Sequence, residues 1–232
     1  MASRAGRSPG RPNRISQEQI LEAAVALIRE GGLDGCNMTQ IARRLGVSVM
    51  ALYTYYPSRD ALVEAVAADV FAALPIPSEE GGWKAFLTAW MRTLYDEFIR
   101  RPEAIELMYR DDHVPRAWLR LWLPMMRVLW RQGLRGPDLG MVSTWLGLVV
   151  LQMIAGLYKL RSSAELLDEL GIAGLDPADR LLFEDVNVLA TPDARRRLAD
   201  FTIENIMFGI ERAIEQAREA GRLAAPPGTA LP

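Results

Sequence analysis

Residues 37–60, NMTQIARRLGVSVMALYTYYPSRD, constrain this chain more than any other stretch. They spell two short helices joined by a tight turn, with a third helix starting at the end. Asn37 is a good N-cap, and Gln40 stands three residues on, where a capping-box partner belongs. The helix that follows carries Ile41, Ala42 and Leu45 on one face and Arg43 and Arg44 on the other. Ala42 is small enough for a close helix crossing. Gly46 follows Leu45 directly, where a helix stop favours a residue that tolerates positive φ. Val47 can plug the turn, and Ser48 can cap the next helix. There Leu52 and Tyr56 face inward at i, i+4, which leaves Val49, Met50, Tyr53 and Thr54 outward. Pro57 ends that helix, because the residue before a proline disfavours helical backbone. Ser58 then caps the third helix, with Arg59 in its first turn.

This spacing predicts a helix-turn-helix, a unit whose second helix enters the major groove of double-stranded DNA while the first crosses the phosphate backbone. Val49 and Met50 suit apolar contact with thymine methyls. The hydroxyls of Tyr53, Thr54 and Tyr55 suit phosphates. Backbone N–H groups at the helix starts after Asn37 and Ser58 can hold phosphates too, with Arg59 adding charge beside the latter. Thr39 and Ser48 complete the candidates within the unit. An ordinary αα-corner would read alike over residues 37–56, so the flanks decide. Upstream, SRAGRSPGRPNR holds Arg4, Arg7, Arg11 and Arg14 with no acid before Glu18. Glycine and proline keep such a segment disordered. It can neutralise phosphates or enter a minor groove, and Arg11 and Arg14 are the candidates. For Arg4 and Arg7 a solvated tail is the plainer reading. No apolar core of signal length follows, so a secretory signal is not expected. Ser16 and Gln19 open a helix with the stripe Ile20, Ala23, Ala24, Leu27 and Ile28, ended by Gly31-Gly32. Residues 58–74 form another, with Leu62, Val66, Val70 and Leu74 on its buried side.

These elements together resemble the TetR family of transcriptional regulators. The matching residues are Gly31-Gly32, Ile41-Ala42, Gly46-Val47-Ser48, Leu52-Tyr53, Tyr55-Tyr56, Pro57-Ser58, Arg59 and Leu62, within residues 14–74. Asn37 stands where the family usually has threonine, which preserves capping. Arg59 stands where it often has lysine, which keeps charge but alters phosphate geometry. The resemblance implies a homodimer on a palindromic operator, a small-molecule effector bound by a helical C-terminal domain, repression as the commoner behaviour, and a cytoplasmic location.

Composition fits this division. The net charge is −2, yet residues 1–60 carry +3 and the remainder therefore −5. A positive head on a negative body suits two parts with different partners. Cys36 is the one cysteine, which excludes an intrachain disulfide and reads as a small apolar filler beside the turn. His113 is the one histidine, a loop-facing polar residue in RDDHVP. With one of each, zinc binding and nucleophile–histidine catalysis lack their ligands, so no metal, cofactor or enzyme activity is expected.

Residues 75–82, PIPSEEGG, break the pattern and mark the domain boundary. The expected organisation is a disordered arm at 1–13, a DNA-binding head at 14–74, a helical ligand-binding and dimerisation domain at 75–222, and a tail at 223–232. The fold class is all-α. Helices are expected over 83–100, 102–108, 115–132, 137–161 and 192–220, with a short turn at 163–170 and no assignment for 171–191. Trp118, Trp122 and Met125 share a face, and Pro124 frees the Arg120 carbonyl, which predicts a kink. Such a helix can leave an apolar cavity or pack as plain core. Trp90, Met108, Trp118, Trp122, Met125 and Trp145 are the candidate pocket for an apolar or aromatic effector. Residues 139–158 run twenty residues without a charge, long enough to span a bilayer. Ser143, Thr144, Gln152 and three glycines favour a buried dimerisation helix instead. The last helix has two apolar stripes, one of Ile203, Ile206, Ile210 and Ile214, the other of Leu198, Phe201 and Phe208. Two stripes imply two neighbours, the core and a partner subunit. Gly147, Leu151 and the four isoleucines are the expected interface. A helical adaptor that uses the body for protein contacts is the alternative to the ligand-released repressor.

Overall fold

The computed structural model describes residues 15–108, 115–159, 176–186 and 191–224. Arg11, Arg14, His113, the turn expected at 163–170, residues 171–175 and 187–190 of the unassigned stretch, and residues 225–232 of the tail lie outside the described residues. Among those described, every regular element is helical. They are α1 (Gln17–Gly35), α2 (Met38–Leu45), α3 (Val49–Tyr53), α4 (Arg59–Ala72), α5 (Gly82–Arg100), α6 (Pro102–Met108), a 3-10 turn (Arg116–Trp118), α7 (Leu119–Arg131), α8 (Gly136–Lys159), α9 (Pro177–Val186) and α10 (Pro192–Glu219). Packing divides the chain into two compact units between Asp69 and Val70. That lies inside α4, ahead of the break at 75–82. The cause is the grip of the second unit on the end of α4. Phe71 packs on the rings of Phe98 and Trp118, with centroids 6.2 and 6.1 Å away. The Arg120 guanidinium donates to the carbonyls of Phe71 (3.1 Å) and Leu74 (2.7 Å) at the end of the helix, where the Phe71 carbonyl also accepts the Leu74 N–H (3.3 Å).

In the first unit, α1 opens on a full capping box. Ser16 Oγ accepts the Gln19 N–H at 3.1 Å, and Gln19 Oε1 accepts the Ser16 N–H at 2.9 Å. Gly32 (φ +69°) breaks the α1 ladder where the glycine pair predicted a stop, and one more turn runs on to Gly35. Gly46 (φ +67°) ends α2, with the Val47 N–H returning to the Ala42 carbonyl at 3.0 Å. Ile20, Ala24, Ile28, Ile41, Ala42 and Leu52 are buried. Each large apolar side chain among them contributes about 1.5–3 kcal/mol by leaving water.

In the second unit, α5 is the hub. Its buried residues Phe86, Leu87, Trp90, Met91, Leu94, Tyr95 and Phe98 recur at helical spacing over a wide face. That face meets α6, α7, α8 and α10. Ion pairs Lys84–Glu211, Arg92–Asp200 and Arg196–Asp96 advance along α5 as they retreat along α10, so the two helices run antiparallel. All three are largely exposed and contribute register more than stability. Thr191 caps α10, its Oγ1 accepting the Ala194 N–H at 3.2 Å, with Pro192 at the first helical position. α7 continues through Pro124, which lies inside it.

The expected interface needs correcting. Ile203, Ile206, Ile210 and Ile214 are buried within the chain itself, because this stripe of α10 meets the unit's own core. Gly147 is buried too, and a Cβ there would fall inside the ring of Trp122. Its missing side chain serves the approach of α7 to α8, not of two subunits. Leu151 is half-buried. Exposed instead are Met141, Trp145 and Leu148 of α8 and Phe201 and Phe208 of α10. Replacing Gly147 by alanine should therefore lower stability by about 1–3 kcal/mol through overpacking. Thermal unfolding should show it as a fall in Tm, with Trp122→Phe in the same chain restoring part of the loss.

Candidate nucleic-acid interface

The helix-turn-helix is assembled by caps at each start and one buried side chain. The Asn37 side chain accepts the Gln40 N–H (3.0 Å), Ser48 Oγ the Ala51 N–H (3.3 Å), and Ser58 Oγ the Ala61 N–H (3.1 Å). α3 has five residues, and Leu52 is its one buried side chain. With Leu52 inward, helical geometry turns Met50 and Tyr53 outward, where they are 72% and 44% exposed. Thr39 and Thr54 are exposed, and Asn37, Val49 and Tyr55 are half-buried. The unit thus presents one apolar side chain, one phenol and the N-terminal turn of α3 on a single surface.

Several expected phosphate ligands are already engaged inside the head. Arg59 donates from Nε to the Cys36 carbonyl (2.9 Å) and from Nη2 to the Leu33 carbonyl (2.8 Å). It clamps the carbonyl end of α1 to the start of α4, a task suited to the planar fork of arginine. The Tyr55 hydroxyl donates to the Ile15 carbonyl at 2.5 Å, and the Thr54 hydroxyl to the Ala51 carbonyl at 2.6 Å. These three groups, expected at phosphates, are each hydrogen-bonded within the head and help to hold it in shape. Arg44 makes two 2.7 Å hydrogen bonds to the Glu30 carboxylate, tying α2 to α1. The Arg44 hydrogen bonds hold the Glu30 carboxyl below its usual range, and Glu30 in turn raises the Arg44 guanidinium. Arg43, on the same helix, is exposed.

Burial pushes the Cys36 thiol up, and nearby Arg59 offsets this only in part. The group therefore stays a protonated, inert thiol at neutral pH. Burial, with Asp69 second, raises the Tyr56 phenol in the same way. Three or more metal-ligating side chains do not gather anywhere among the described residues.

The second unit places the expected pocket residues differently from the sequence reading. Trp90, Met108, Trp118 and Met125 are buried in packed core. Trp90 donates its indole N–H to the Leu121 carbonyl at 2.9 Å, and Trp118 meets Phe71 and Phe98 edge-on and Trp122 at a tilt. Trp122 is half-buried against Gly147, and Trp145 lies exposed over Gly209. Open apolar space occurs instead between α8 and α10. A groove of about 700 Å³ is lined by Leu148, Val149, Gln152, Met153, Gly156 and Leu157 of α8 and by Leu198 and Thr202 of α10. A smaller cavity of about 340 Å³ includes Trp145, Asp138 and Arg222. Periodicity could not reveal the groove, because α8 is apolar on every side and offers no stripe to read.

These features define a helix-turn-helix in the first unit and an all-helical second unit. Comparison with known proteins narrows the class. Residues 20–66 match the family model described as bacterial regulatory proteins, tetR family. The chain is 30% identical over 106 residues to the HTH-type transcriptional repressor DrrR1 of Streptomyces coeruleorubidus, covering 44% of this chain and 39% of that protein. It is 30% identical over 77 residues to the tetracycline repressor protein class D of Escherichia coli, covering 32% and 35%. The match thus spans little more than a third of the length of these relatives. Apo ActR of Streptomyces coelicolor shares the fold with a TM-score of 0.68 at 20% identity, over 88% of this chain and 98% of that one. ActR in complex with (S)-DNPA gives 0.64 at 19% identity, over 86% and 98%. The head thus resembles the DNA-binding part of TetR-family regulators over residues 20–66, and the matched relatives are named as repressors. Because Arg59 serves the head internally, Arg59→Lys should lower stability by about 1–3 kcal/mol through lost charge-assisted hydrogen bonds. A thermal melt should detect that loss, while the salt dependence of DNA binding stays unchanged.

Proposed function

We propose that this protein is a homodimeric transcriptional repressor that leaves its operator when a small lipophilic molecule binds the helical body. The observation that carries the reading is the outward display of Met50 and Tyr53 on a capped helix whose opposite side is buried. That arrangement suits a major groove, with Met50 against thymine methyls and Tyr53 toward the backbone. The names of the relatives support repression. Dimerisation is supported by the exposed apolar face of α8 and α10, where Phe208 is 71% and Leu148 66% exposed. Packing α8 and α10 of one protomer on those of its partner would bury this face in a four-helix arrangement. Two heads would then meet a palindromic operator with recognition helices about 34–36 Å apart.

α8 is long and apolar enough to cross a membrane by length and composition. Its packing on α5, α7 and α10 favours a core-and-interface helix in a cytoplasmic protein. The 700 Å³ groove, with Gln152 and Thr202 among apolar walls, is of a size and chemistry that suit an apolar or aromatic effector. The ActR complex is a ligand-bound relative in fold. The groove includes Leu148 of the proposed dimer face, so an effector there can bias the spacing of the two heads. Release then follows by linkage, since a ligand that prefers wrongly spaced heads must weaken DNA binding.

Genomic fragments retained by the protein on a filter supply the operator. Met50→Ala with Tyr53→Ala should weaken operator affinity at least about tenfold while leaving the melt unchanged, a loss of about 1.4 kcal/mol or more. Undiminished retention would favour the adaptor reading. Phe208→Arg should convert dimer to monomer in sedimentation and abolish operator binding at the same protein concentration. A wild-type monomer at micromolar concentration would sink the dimer.

A further inference from the structure

A second cavity lies at the other end of the α8–α10 seam from the groove. The groove is lined by residues 148–157 of α8 and by Leu198 and Thr202 of α10, whereas this cavity of about 340 Å³ takes its walls from residues 134–145 and 209–222. Trp145 is one wall, its ring packed on Gly209 so closely that a Cβ there would meet it at 2.8 Å. Met141 and Val142 add apolar surface, and Asp138, Gln216 and Arg222 supply polar groups. An apolar hollow with a few convergent polar groups is the usual make-up of a small-molecule site, and this volume, near the lower end of the range, holds about two fused rings. The Arg222 guanidinium is held there in advance. Gly221 (φ +65°) turns the chain back after α10, and the Arg222 N–H closes on the Ala217 carbonyl at 2.8 Å. Two residues on, the Ala224 N–H donates to the Gly133 carbonyl at 3.0 Å, which pins the segment to the turn ahead of α8. Gly133 (φ +94°) admits it, since a Cβ there would lie 2.8 Å from the Ala224 carbonyl oxygen. Asp138 takes the Arg222 Nε–H at 2.9 Å and reaches Nη2 only at 3.4 Å, which leaves about three of the five guanidinium N–H groups for another acceptor. Gln216 and Arg222 are exposed, so the polar end opens to water. Entry from that end does not require Met141 and Trp145, on the face assigned above to the partner subunit, to be uncovered.

We propose that this cavity is a second ligand site, selective for a small planar aromatic carboxylate whose rings pack on Trp145 and whose carboxylate takes the outer N–H groups of Arg222. A carboxylate offers two acceptors that a guanidinium edge meets side by side, and the bond is strengthened by charge on both partners. A neutral amide of the same shape lacks both advantages. The site is separate from the groove proposed for the effector and stands whether or not that groove takes a ligand.

The test titrates two probes, 2-naphthoate and its neutral counterpart 2-naphthamide, into the full chain by isothermal calorimetry. Wild type should bind 2-naphthoate once per chain and at least about tenfold more tightly than 2-naphthamide, the usual gain from hydrogen bonds to a charged group. Arg222→Gln should bring the two affinities together by weakening 2-naphthoate alone. Unchanged binding of 2-naphthamide then reports that the cavity itself is intact. Arg222→Lys should keep part of the preference, because charge remains while the planar fork is lost. Trp145→Leu should weaken both probes about two- to tenfold, as expected for a lost ring contact. Ala213→Phe, which fills the cavity from α10, should remove binding of both. Equal affinity of wild type for the two probes would overturn the proposal, as would a preference that survives Arg222→Gln. No binding of 2-naphthoate at millimolar concentration, or full binding to Ala213→Phe, would overturn it too.

Discussion

The burial of Leu52 governs what the head can do. A helix of five residues is far too short to hold itself together in water, so α3 exists only through what surrounds it. Gly46 in left-handed backbone sets the turn, Ser48 satisfies one orphan N–H, and Leu52 fills the space between the head's helices. With that side chain seated, the rotation of α3 is decided and its other side must face outward. A polar residue at this position would remove the only apolar anchor, and the exposed side chains would lose their common direction.

Charge in the head is spent on architecture to a degree that its composition hides. The positive excess of residues 1–60 suggests a surface of free guanidinium groups, yet Arg59 closes on two carbonyls and Arg44 on a carboxylate. Arg120 does the same for the end of α4 in the second unit. In each case arginine meets a group that a helix end or a neighbouring helix would otherwise leave poorly satisfied. Its rigid fork can serve two acceptors at once, which an ammonium does less well.

The body solves a different problem. α5 supplies a wide apolar face around which α6, α7, α8 and α10 gather. Two close approaches fix α8, with Gly147 admitting the Trp122 ring and Gly209 lying under Trp145 at 2.8 Å from where a Cβ would sit. These contacts direct one side of α8 inward and leave Met141, Leu148 and their neighbours on α10 at the surface. The same geometry opens the groove of about 700 Å³ beside them.

Local chemistry was enough to read the caps at Ser16, Asn37, Ser48 and Ser58, the turn at Gly46, the inward Leu52 and the all-helical class from the sequence. Each depends on residues three or four apart, and such neighbours meet in any helix. The roles of Tyr55 and Arg59 were not legible, because their partners Ile15, Leu33 and Cys36 lie 23 to 40 residues away. A free hydroxyl or guanidinium looks the same in sequence whether it meets a phosphate or a carbonyl. Both stripes of α10 were visible, but periodicity cannot say which one turns inward; only the docking of α10 on α5 and α8 sent the isoleucines to the core and the phenylalanines outward.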